Sequence, residues 1–77
     1  MDKSSTLDCY LYYMWNAWSY GDCISIFGET LGSHIWNKWV RECERSGGKG
    51  APASFYAKLD KETRIKIVER AMTYYNS

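Results

Sequence analysis

Cys9, Cys23, Cys43 and His34 are the side chains of this chain best suited to nucleophilic or metal chemistry. A thiolate beside an imidazole can attack a carbonyl, and three thiols with one histidine form a donor set that zinc accepts. Their spacing argues against both uses. The gaps hold 13, 10 and 8 intervening residues, and no C-x-x-C pair brings two donors onto one turn. A single histidine and no paired carboxylates on an apolar background leave little for acid–base work. The expectation is a chain without catalytic residues, metal or cofactor, whose odd number of thiols stays reduced in a cytoplasmic setting.

GGKG at 47–50 suggests a phosphate cradle, because glycine amides and a lysine can hold an anion. A Walker loop, however, needs a longer glycine frame, a hydroxyl residue after the lysine and a preceding strand. Gly50 stands where the hydroxyl should be, so the segment reads as a connection.

Two sets of residues are better suited to recognition. Ser33, His34, Asn37, Lys38 and Arg41 recur at helical spacing and carry groups that meet base edges and phosphates. A short helix, a glycine-containing turn at 28–32 and a longer helix would arrange them as a helix-turn-helix presents its second helix. Glu29, Glu42 and Glu44 lie close by, and Ile35 and Trp39 fall one residue from the usual apolar positions of that motif. The net charge of +1 also lacks the basic excess of most DNA readers.

The second set is aromatic. Four Trp, seven Tyr and two Phe make up 17% of the chain, more rings than so small an interior encloses with ease. Tyr12, Tyr13, Trp15 and Tyr20 are the expected partner-binding residues, because tyrosine and tryptophan carry much of the energy of protein interfaces. All four tryptophans stand in two Trp-Asn-x-Trp stretches 21 residues apart. The flanks share almost nothing at that offset, so a repeat is unsupported. Trp18, Trp36 and Trp39 read as core and Trp15 as a surface ring.

The elements that must position these residues are helical. Ser5 is the expected cap of a first helix in which Leu7, Leu11, Met14 and Trp18 form the inner stripe and Tyr12 and Tyr13 the outer side. Gly21 is its expected end, with Asp22 capping a short helix to Phe27 that stops at Gly28. Ser33 is the expected cap of a helix through Arg45, followed by a flexible loop over 46–54 within which Pro52 opens a helical turn. Asp60 caps the last helix, whose inner stripe is expected at Ile65, Val68, Met72 and Tyr75. No alternating strand pattern occurs.

At 77 residues the chain reads as one all-α domain, a small bundle of three longer helices with one or two short ones. No apolar run approaches the roughly 20 residues of a membrane span, and the start lacks the apolar stretch of a secretory signal. The functional expectation is a non-catalytic protein-binding module. Size and lack of chemistry suggest a small inhibitor or adaptor of the kind that phages and mobile elements encode. Self-association and DNA binding through the third helix are the alternatives.

Overall fold

The computed structural model describes residues 6–48 and 51–76. Five helices follow one another: α1 (Thr6–Asn16), α2 (Tyr20–Phe27), α3 (Glu29–Arg45), α4 (Pro52–Lys58) and α5 (Lys61–Asn76). No strand occurs among the described residues, so the chain is an all-α bundle. α2 packs chiefly on α3 and α1 on α5, while α4 touches both α1 and α3. No described helix is long and apolar enough to cross a membrane.

Local chemistry explains the boundaries, and several differ from expectation. The Ser5 cap lies outside the described residues. α1 ends at Asn16 rather than Gly21, with the amides of Ala17 and Trp18 both donating to the Tyr13 carbonyl (2.8 and 3.1 Å). Ser19, not Asp22, caps α2, since its Oγ accepts from the Asp22 amide at 3.2 Å. Gly21 therefore sits inside the first turn of α2.

Gly28 does end α2, but it turns the chain alone. At φ +86° it is in a region closed to most side chains, and α3 begins at the next residue. Ser33 consequently lies within α3 and caps nothing. Gly32, expected in the turn at 28–32, lies inside α3 and is its crossing point. A Cβ there would stand 2.6 Å from the Cys23 carbonyl oxygen, so α2 and α3 approach at backbone distance.

The expected 46–54 loop is shorter, because α4 already begins at Pro52, the first-turn position where proline's missing amide costs nothing. Gly47 and Gly48 take positive φ and close the end of α3, Gly48 donating to the Cys43 carbonyl at 2.7 Å. Lys49 and Gly50 lie outside the described residues. Asp60 precedes α5 and accepts from Thr63, which holds its carboxyl below the usual carboxylate range.

The core is built largely of rings. Tyr10, Tyr13, Phe55, Ile67 and Cys23 are the largest fully buried side chains, with Cys9, Met14, Trp18, Ile35, Leu59 and Ala71 around them. Ring contacts run from Tyr74 to Tyr13 (5.6 Å), on to Trp18 (5.9 Å), Trp36 (6.4 Å) and Tyr20 (6.2 Å), joining α5, α1, the α1–α2 link, α3 and α2. A second pair of contacts seats α4, Tyr10 on Tyr56 (4.7 Å) and Trp39 on Phe55 (5.3 Å). Trp18 is buried, and Trp36 and Trp39 are half-buried against the core.

Two inner stripes differ from expectation. On α1 the buried face is Cys9, Tyr10, Tyr13 and Met14, and Leu7 is 39% exposed. On α5 it is Thr63, Ile67 and Ala71, and Ile65 is 47% exposed. Beyond the buried Ala71, Tyr74 and Tyr75 of α5 reach Tyr12 and Tyr13 of α1.

Candidate functional site

The expected partner-binding residues separate into three situations. Trp15 is 62% exposed, the most exposed large apolar side chain described, and stands about two turns beyond the exposed Leu7 on α1, while Leu11 between them is half-buried against the core. Tyr12, three residues before it, is exposed, with its ring tilted against Tyr75 (5.1 Å) and Tyr74 (6.4 Å). Tyr20 is exposed on α2, its hydroxyl 3.1 Å from Ser33 Oγ and its ring on Trp36.

Tyr13 corrects the expectation of an outer side chain. It is 1% exposed, and its hydroxyl donates to Asp22 Oδ2 at 2.6 Å. Burial first, and then this bond and the Asp22 charge, push the phenol far above its ordinary range. It is a tie between α1 and α2 and offers no contact surface. Tyr12 and Trp15 thus form one patch, and Tyr20 belongs to the aromatic row at α2 and α3.

The polar residues of α3 also divide. His34, Asn37, Lys38 and Arg41 are exposed. His34, Lys38, Arg41 and Arg45 follow at steps of four, three and four, which places all four within one narrow stripe. Ser33 lies on another side of the helix, half-buried and bonded to Tyr20. A single residue joins α2 to α3 in place of the three- or four-residue turn of a helix-turn-helix.

Sequence reasoning missed the groove beside this stripe. Lys38, Arg41 and Arg45 line one wall of a cavity of about 340 Å³, with Lys58 of α4 opposite. Its floor is Phe55 and Leu59, and its one carboxylate is Glu42. Glu42 is buried and fully engaged. Lys58 Nζ donates to Oε1 at 2.5 Å, Ser54 Oγ to Oε2 at 3.3 Å, and Arg45 Nη1 stands 3.5 Å from Oε1. The Lys58 bond leads in holding this carboxyl below the usual range. Four residues of α3 meet two of α4 and Leu59 just after it, so only the packing of α4 on α3 reveals it.

The thiols are not disposed for chemistry with histidine. His34 and Cys43 are nine residues apart on α3, two and a half turns, and so on opposite sides. Cys9 and Cys23 are buried, and burial, with Asp22 nearby, pushes the Cys23 thiol up to about 12. Among the described residues no three His, Cys, Asp or Glu side chains are grouped as a metal site.

No protein-family profile, curated protein or solved structure matches this chain.

Proposed function

We propose that the chain is a non-catalytic protein-binding module that contacts its partner through the outer side of α1, with Trp15 as the anchor and Tyr12 and Leu7 beside it. The observation that carries this reading is the exposure of Trp15, 62% on an otherwise ordered helix whose opposite face is fully packed. An indole left in water by a chain with so much aromatic core to build is suited to fill a pocket on another protein. The Tyr12 ring, held by Tyr74 and Tyr75, is pre-positioned and loses little rotamer freedom on contact. Duplex reading by α3 is less well supported, because the link from α2 is one residue long and Ser33 is turned away.

The test is a photo-crosslinking phenylalanine analogue at position 15, compared with the same group at Lys66 on α5, in the cells that make the protein. A crosslinked partner is expected from position 15 alone. Trp15→Ala should weaken capture by an anchor's worth, about 2 kcal/mol or near 30-fold, with the melting temperature almost unchanged. A cooperative loss of helical circular dichroism in Trp15→Ala, or capture equal to wild type, overturns the reading. Crosslinking to a second copy of the chain would replace it with self-association.

A further inference from the structure

We propose that the groove between α3 and α4 is a second binding site, and that it takes an acidic peptide segment carrying one large apolar side chain. The reading is independent of the α1 surface.

Among the described residues, the groove is walled by four cations against one carboxylate. Glu42 is satisfied by Lys58, Ser54 and Arg45, while Lys38 and Arg41 form no ion pair with a described residue. Lys38 acts on Asp60 only as the last of several causes lowering that carboxyl. Lys38, Arg41 and Arg45 therefore present positive charge over about 10 Å of helix, three and four residues apart. Acidic side chains of a bound segment can pair with them at the rim, where the field steers association.

Phe55 and Leu59 make the bottom of the groove apolar, and Trp39 fixes the Phe55 ring from behind at 5.3 Å. Glu42 stands at the same depth, so an anion seated deeply would meet its charge, whereas an apolar group would not. The groove thus asks for anions above and a hydrophobic anchor below. A polynucleotide supplies the first and not the second.

The neighbouring cavity, which shares Lys38, mixes His34 and Lys66 with Asp60 and Glu62. Complementarity to an acidic ligand therefore does not extend from the α3–α4 groove into that cavity, and the segment should end near Lys38.

The experiment titrates the full chain, labelled for amide NMR, with a synthetic dodecapeptide of Asp and Glu around one central Phe. The same peptide with Gly for Phe and a short DNA duplex are run beside it. Amides of Arg41, Phe55, Lys58 and Leu59 should shift with the Phe peptide. Arg41→Glu, and separately Lys38→Glu, both at exposed positions, should raise its Kd about tenfold, and the Gly peptide should bind roughly threefold more weakly or worse. Trp15→Ala should leave this binding unchanged whether or not the α1 proposal stands. Equal binding of the Gly peptide, tighter binding of the duplex at the same amides, or no shift along the groove overturns the proposal.

Discussion

Two buried tyrosines three residues apart on α1 meet opposite hydrogen-bonding circumstances. Tyr13 donates to Asp22 at 2.6 Å, and the Tyr10 hydroxyl, fully buried, has no partner among the described residues. Removing a hydroxyl that bonds a carboxylate costs about 1.5–3 kcal/mol, whereas removing an unsatisfied one lifts a desolvation penalty. Tyr13→Phe should therefore lower the melting temperature by about 6–24 °C, at about 4–8 °C per kcal/mol in a domain of this size. Tyr10→Phe should leave it equal or higher. Thermal melts of the pair check this, and a comparable fall in both would mean the Tyr10 hydroxyl is bonded after all. The same pair shows why individual surface residues were only partly legible in the sequence. Trp15 is exposed as expected, but Tyr13, expected on the outer side with Tyr12, is core. A tyrosine ring buries as much as a phenylalanine once its hydroxyl finds an acceptor elsewhere in the fold. For Tyr13 that acceptor is nine residues away in another helix, beyond what spacing along α1 reveals.

Helices were legible where their signals are local. Gly28 as a stop, Pro52 as a start and Asp60 as a cap each act within one turn. Faces were less so, since on α1 and α5 more than one stripe satisfies the three-and-four rule. Which stripe turns inward is decided by the partner helix, through contacts such as Tyr74 on Tyr13. Gly32 is the sharpest case, because a glycine inside a helix weakens it by up to about 1 kcal/mol relative to alanine and so resembled a break. Its use is visible only in the approach of the Cys23 backbone. Gly32→Ala would put a methyl 2.6 Å from a carbonyl oxygen that cannot swing aside, an overpacking cost of about 1–3 kcal/mol against which the propensity gain is small. Gly21→Ala is the matched control, with its nearest neighbour, Ser19 Oγ, at 3.8 Å. Chemical denaturation should show Gly32→Ala destabilised and Gly21→Ala unchanged or stabilised by up to about 1 kcal/mol. The reverse order would place the α2–α3 crossing elsewhere.

At the scale of the molecule, the bundle is two helix pairs, α1 with α5 and α2 with α3, and α4 braces one against the other. Aromatic contacts hold α4 on both sides, and its polar fastening is the Glu42 carboxylate, gripped by Ser54 and Lys58. This gives the fold an acid-sensitive joint. The bond from Lys58 leads in depressing the Glu42 carboxyl below its ordinary value of 4.5, so the unfolded chain binds this proton more readily than the folded one. The stabilisation is therefore complete above about pH 4.5 and is lost as pH falls through the lower folded value. Asp60, lowered first by the Thr63 hydroxyl, adds to the loss in the same direction. Wild type should thus melt at progressively lower temperature below that pH. Glu42→Gln should melt lower than wild type at neutral pH, since Lys58 then faces a neutral amide, and its curve should approach the wild-type curve as pH falls below the ordinary carboxylate value. Asp60→Asn should remove a separate part of the slope. Parallel melting curves for wild type and Glu42→Gln across the acid range would show that α4 is held by its rings alone, and the groove it forms with α3 would then persist in acid.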